Sequence, residues 1–247
     1  MLTTVFGKRG SGKTTLIRAK IAECVRPVII IDILGNYDPE SEEGLRWIKE
    51  QPQIKSDTWI VTESHIDALE ELLLYMKEPS KHSGVIVVRD SDMNKCVDYL
   101  CSALWHKKGG TLVIDEADAV SLKDAPCFDE AIRYGRNKQI DIITGCRRPA
   151  EISRNVTAGA DMAYCLSTQE PRDIDYYCDF LGEEQAYALK DLPPYHGIYR
   201  NFKDQTEGFF KTDIKGTIKI LKSVDKNKRP TETVSSDISK SSQTYSK

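Results

Sequence analysis

Gly7-Lys8-Arg9-Gly10-Ser11-Gly12-Lys13-Thr14 fits the spacing GxxxxGK[ST] without a mismatch. It lies between an apolar run, Leu2–Phe6, and a segment with helical spacing, Thr14–Val25. A chance match in a chain of 247 residues is roughly a one-in-a-hundred event given the usual glycine frequency. The flanking strand and helix are the context the motif needs. Glycines let the backbone wrap closely around phosphate oxygens, and successive N–H groups form an anion nest where a helix begins. The motif therefore predicts a nucleotide site built from residues 7–15. In it, Lys13 supplies a point charge for the β- and γ-phosphates, the Thr14 hydroxyl reaches a Mg²⁺ ion and Thr15 contacts the α-phosphate.

A strand–loop–helix of this kind needs a sheet around it, and the apolar runs supply one. Leu2–Phe6, Val28–Ile33, Thr58–Val61, Val85–Val88, Thr111–Ile114, Ile140–Thr144 and Met162–Leu166 are mostly short and continuously apolar. That pattern predicts strands covered on both faces, as in a parallel sheet. Thr14–Val25, Ile66–Lys77, Cys96–His106 and Pro126–Arg136 carry helical spacing between them, so the expected architecture is three-layer α/β with right-handed crossovers. After Pro193-Pro194, His196–Phe202 and Gly208–Thr212 read as a closing β-hairpin. Residues 1–214 are the expected P-loop domain. Residues 215–247 form a Ser/Thr/Lys-rich tail, with a stretch from about Asp225 too poor in large apolar side chains to offset ordering entropy; the tail is expected to be mostly disordered.

Composition narrows the class without naming the partner. The net charge of −3 is uneven: the segment from Lys215 to Lys247 has eight Lys/Arg against three Asp/Glu, leaving the first 214 residues at −8. An acidic body does not advertise nucleic acid, although a cationic tail can touch phosphates non-specifically. Seven cysteines at irregular spacing contain no CxxC pair, so free thiols in a reducing compartment are expected rather than zinc or disulfides. No uncharged apolar stretch approaches the ~18 residues of a membrane span, and the N-terminus lacks the charge order of a secretory signal. A cytoplasmic location follows as the expectation.

A second motif completes the site. Thr111-Leu112-Val113-Ile114-Asp115-Glu116 is an apolar strand ending in two acids. Asp115, with Thr14, is the expected Mg²⁺ partner. Glu116 is the expected base that polarises an attacking water. An acid directly after the metal aspartate favours water as nucleophile over the acceptor of a small-molecule phosphotransferase. Lys13 and Glu116 are thus the first two expected catalytic residues.

Taken in order, these motifs, then Asp32-Ile33-Leu34-Gly35-Asn36-Tyr37, Arg136 before a strand, and Arg147-Arg148-Pro149, resemble the HerA/FtsK superfamily of DNA-pumping ATPases. Asn36 stands where a DxxGEY-like motif has an acid, and Arg147 stands where the family's sensor strand carries glutamine. The short chain and the segments Ala160-Asp161-Met162 and Glu170-Pro171-Arg172-Asp173 look most like the compact genome-packaging ATPases of double-jelly-roll and related internal-membrane viruses. The resemblance spans residues 2–202. It implies a RecA-like (ASCE) core, ATP and Mg²⁺ as cofactors, and a ring, commonly hexameric, with nucleotide at subunit interfaces. It also implies a catalytic arginine reaching a neighbour's γ-phosphate. Arg136 matches that position best, with Arg148 and Arg133 as rivals.

Further partners implied are double-stranded DNA and capsid, portal or membrane proteins, in the host cytoplasm or on the virion. Candidate DNA-contacting loops are Lys77–Ser83, with Lys77 and Lys81, and Trp105-His106-Lys107-Lys108. Tyr176-Tyr177 sits at helical spacing and is expected to pack. Two alternatives stay open: a nucleotide-dependent phage assembly protein resembling zonula-occludens toxin, and a conjugation-type motor of the same superfamily.

Overall fold

The structure, a computed structural model, describes residues 1–51, 54, 55, 57–82, 84–213 and 217–225. The first half runs β1 (Leu2–Phe6), α1 (Lys13–Ile21), β2 (Val28–Ile31), α2 (Glu42–Glu50), β3 (Trp59–Thr62), α3 (His65–Lys77), β4 (Val85–Val88), α4 (Met93–Lys107) and β5 (Gly110–Ile114). The second half runs α5 (Pro126–Tyr134), β6 (Ile140–Cys146), α6 (Arg154–Ala158), β7 (Met162–Leu166), α7 (Pro171–Leu181), α8 (Glu183–Ala188), β8 (His196–Asn201), β9 (Thr206–Thr212) and β10 (Ile218–Asp225).

All ten strands join one sheet in the order β10-β9-β8-β7-β1-β6-β5-β2-β4-β3. From β7 to β3 every pairing is parallel, and β8, β9 and β10 continue antiparallel from β7. The continuous apolar runs have a direct cause. Ile29 and Ile31 of β2 face one side, with Ile86, Val88, Leu112 and Ile114, in one buried cluster that also takes in side chains of α3, α4, α5, α7 and α8. Val28 and Ile30 face the other side, with Val85, Val87 and Val113, and pack on α1, Tyr37 and Trp47 of α2. Both faces are dry, so no polar alternation is needed. Each fully buried aliphatic side chain contributes about 1.5–3 kcal/mol. The three-layer α/β expectation holds.

Three departures are informative. β2 stops at Ile31, not Ile33, because the Asp32 carboxylate accepts the N–H groups of Asn36 and Tyr37, each at 2.8 Å, and turns the chain out of the sheet. Helix α2 goes unannounced by the apolar spacing: of its nine residues only Gly44 and Trp47 are buried, and a Ser41 cap starts it. The sheet also runs past the expected boundary at residue 214. The expected hairpin is a three-strand meander, because β10 pairs along β9 from Ile218↔Thr212 to Asp225↔Thr206. Ile218 packs against the core while Lys219 and Lys222 remain exposed, a one-sided strand that a lysine-rich composition masks. Residues 215, 216 and 226–247 of the expected tail lie outside the described residues.

Candidate active site

β1 lies between β6 and β7, and its carboxyl end feeds residues 7–12 into the amino end of α1. Gly12 is the N-cap at φ 103°, a left-handed conformation that an L side chain adopts only with strain. A Cβ at Gly12 would also stand 2.7 Å from Cδ1 of Tyr195, whose N–H donates to the Ser11 carbonyl at 2.8 Å. The loop is therefore pinned against the segment before β8. No side chain caps α1 and no acid stands in its first turn, so its leading N–H groups point into the pocket uncontested. Lys8, Arg9 and Gly10 are exposed, Ser11 and Lys13 are buried, and Thr14 and Thr15 are half-buried. A cleft of about 480 Å³ is lined by Lys8, Arg9, Gly10 and Gly12–Thr15, with Glu116, Arg147 and Tyr195 on its walls.

The two acids after β5 arrive opposite this loop. Lys13 Nζ pairs with Asp115 Oδ1 and, at 3.0 Å, with Glu116 Oε1. Burial would lower the Lys13 pKa, but the two carboxylates outweigh it and hold the ammonium above its usual value. Thr14 Oγ1 donates to Asp115 Oδ2 at 3.1 Å. A hydroxyl and a carboxylate converging beside a phosphate cradle are hard oxygen donors suited to Mg²⁺. Glu116 itself adopts φ 68°, unusual for a residue with a side chain, and its backbone N–H donates to Asp115 Oδ1 at 3.2 Å. The strained turn aims the second acid across the cleft.

Three contributors have tasks that the sequence reading did not assign. Tyr37 is fully buried and its hydroxyl donates to Asp115 Oδ2 at 3.1 Å. Burial, reinforced by the Asp115 charge, pushes the phenol well above its usual pKa, so it stays a donor. The Asp32–Tyr37 segment thus acts as a strut: Asp32 folds the loop, and the loop delivers Tyr37 to the metal-side aspartate. Burial raises the Asp32 pKa in spite of the Tyr37 and Asn36 N–H groups that favour its charged form. Arg18 braces the same loop by donating to the Asn36 carbonyl and lying over the rings of Tyr37 and Trp47. Gly145 is the second contributor. A Cβ there would fall 2.5 Å from Asp115 Oδ1 and 2.6 Å from Ile17 Cδ1, so glycine lets β6 press against both motifs. The third is Arg147, whose Nε lies 2.7 Å from Glu116 Oε2. Its signal was its place after the sensor strand.

The three candidate finger arginines, Arg136, Arg133 and Arg148, pair with acids other than Asp115 and Glu116. β1 and β6 run parallel with Leu2 opposite Ile142 and Phe6 opposite Cys146. Arg136, in a 3₁₀ turn (Gly135–Lys138) before β6, is therefore at the opposite end of the sheet from the phosphate loop. It pairs with Asp161, and its side chain stays 70 % exposed. Arg133 pairs with Asp129 at 2.8 Å. Arg148 lies at the loop's own end of the sheet, 3.2 Å from Glu151 and 3.6 Å from Glu170. The loops around Lys77–Lys81 and Trp105–Lys108 precede β4 and β5, so they share the Arg136 end. Tyr177 is fully buried as expected, whereas the neighbouring Tyr176 hydroxyl meets Thr157 Oγ1 at 2.5 Å.

No protein-family model and no curated protein matches the chain. Solved structures do match in fold. The genome packaging NTPase B204 from Sulfolobus turreted icosahedral virus 2, in complex with AMPPCP, superposes with a TM-score of 0.59 at 21 % identity, over 84 % of this chain and 95 % of B204. Its sulfate complex gives a TM-score of 0.61 at 22 % identity, over 84 % and 94 %. VirB4 of Thermoanaerobacter pseudethanolicus gives 0.50 at 13 % identity, over 81 % and 86 %. Among the described residues no helix is long and apolar enough to cross a membrane. The chain shares the fold of these proteins, the three-layer α/β P-loop core expected from its sequence.

Proposed function

We propose that this protein hydrolyses ATP and uses the energy to translocate double-stranded DNA, packaging a viral genome into a capsid from the host cytoplasm. The observation that carries the reading is the convergence of Lys13, Thr14, Asp115, Glu116 and Tyr37 around one cleft at an uncapped helix N-terminus. The similarity in fold to B204, the DNA-packaging ATPase from Sulfolobus turreted icosahedral virus, over 84 % of this chain and 95 % of B204, supports the packaging role.

In this mechanism the amides of residues 8–15 and Lys13 bind the phosphates. Thr14 and Asp115 would hold Mg²⁺, which when bound would neutralise charge on the phosphate oxygens. Tyr37 fixes the Asp115 carboxylate by its hydrogen bond, so the aspartate keeps its orientation when Lys13 turns to the phosphates. Glu116 accepts the proton of the attacking water. Arg136, exposed at the far end of the sheet, serves a neighbouring subunit of a ring, a contribution of order 10³–10⁵ in rate for such arginines. Lys77, Lys81, Lys107 and Lys108 lie at that same end and are the candidate contacts to DNA phosphates.

Measuring ATP turnover with and without duplex DNA tests the reading. Turnover stimulated by DNA, with a stimulation that weakens steeply as salt rises, is expected. A folded protein that does not turn over ATP under either condition contradicts it. Turnover indifferent to DNA but coupled to a protein partner would transfer the chain to the assembly-protein alternative.

A further inference from the structure

Glu116 is the acid assigned to activate water, yet both of its carboxylate oxygens are engaged. Oε1 meets Lys13 Nζ at 3.0 Å and Oε2 meets Arg147 Nε at 2.7 Å. Each cation lines the cleft where the triphosphate belongs. We propose that Arg147 is a positioning residue that latches Glu116 while the site is empty and frees it when a γ-phosphate draws the guanidinium away. The proposal rests on the reading of this cleft as an ATP site.

The two partners differ in freedom, and this decides which one moves. Glu116 is 14 % exposed, sits in a strained turn, and follows directly on Asp115, which three groups hold. Arg147 begins just past the last β6 residue, where Cys146 Sγ donates to the Arg148 carbonyl at 3.1 Å, and its side chain is 47 % exposed. The backbone is anchored and the long arm is free to swing. Its other charged neighbours on the cleft and the adjoining groove are Lys8, Arg9 and Arg148, all cations, together with Glu170 and Asp173. Arg148 is already paired with Glu151 and Glu170. A polyphosphate therefore competes with one carboxylate for Arg147 and carries the larger charge. A diphosphate lacks the group nearest Glu116 and leaves the pair closed. The site would thereby be idle without ATP and after its hydrolysis.

The test is a double-mutant cycle on thermal unfolding of the full chain with Glu116→Gln, Arg147→Gln and the double variant, since only partners in contact give non-additive effects. It is run with no nucleotide, with Mg²⁺-ADP and with Mg²⁺-AMPPNP, and circular dichroism confirms that each variant folds. For a half-exposed ion pair in a domain of this size, a coupling of about 1–2 °C is expected in the free and ADP forms. With AMPPNP the coupling disappears. No coupling in the free protein, or the same coupling with AMPPNP, overturns the latch. A wild-type midpoint that AMPPNP leaves unmoved overturns the ATP-site reading and the latch together. A moved midpoint with unchanged coupling overturns the latch alone.

Discussion

The two ends of the parallel strands are built on opposite terms. At the carboxyl end, charged groups are buried and tied to one another: Lys13, Asp115 and Tyr37 are each at most 6 % exposed and share hydrogen bonds. At the amino end, Arg136, 70 % exposed, pairs with Asp161, and Lys81, 71 % exposed, pairs with nearby Glu78. Buried charge is retained at a cost in desolvation unless every partner is present. Exposed cations cost little and are free to meet something outside the chain. The first arrangement suits chemistry that needs fixed geometry, and the second suits contact with DNA or a neighbouring subunit.

Substitutions at the two ends should separate these roles. The largest effect is expected from Lys13→Ala, which removes the cation shared by Asp115 and Glu116. ATP turnover should fall at least about a thousandfold in a steady-state assay, in keeping with a group that acts on transition-state charge. Next, Glu116→Gln should retain ATP binding and lose turnover about 10²–10⁴-fold, the usual contribution of a general base; a filter-binding assay beside a phosphate-release assay checks both halves. Two smaller effects probe the strut and the close approach. Tyr37→Phe deletes a buried donor to Asp115, and Gly145→Ala forces a methyl against the same carboxylate. Each should lower stability by about 1–3 kcal/mol in urea denaturation and reduce kcat more than it raises KM. The smallest effect on stability belongs to the other end: Lys81→Ala should stay within about 0.5 kcal/mol of the parent while flattening the salt dependence of DNA binding. If Lys81→Ala destabilises as much as Tyr37→Phe, the contrast between the ends fails.

How far each end can be read from sequence follows the same division. The phosphate loop and Asp115-Glu116 are contiguous motifs whose chemistry depends on residue type and spacing, so the sequence displays them. The seven parallel strands are equally legible, because two dry faces leave unbroken apolar runs such as Val28–Ile31 and Val85–Val88. Gly145 acts across the sheet on Asp115, 30 positions away, and Arg147 on Glu116, 31 positions away, and their effect depends on the β5–β6 register. Tyr37 belonged to a motif noticed for its resemblance, but its task, a hydrogen bond 78 positions away, appears only when the loop folds. Helix α2 and strand β10 stayed hidden for another reason: each buries few side chains, so tertiary context and not apolar periodicity holds it in place.

The most direct examination is a crystal structure of the protein with Mg²⁺ and a non-hydrolysable ATP analogue. The account requires the β- and γ-phosphates to lie against the amides of residues 8–14 and Lys13 Nζ, with the metal touching Thr14 and facing Asp115. An analogue bound elsewhere, or phosphates at that loop with Asp115 and Glu116 turned away from them, would contradict it.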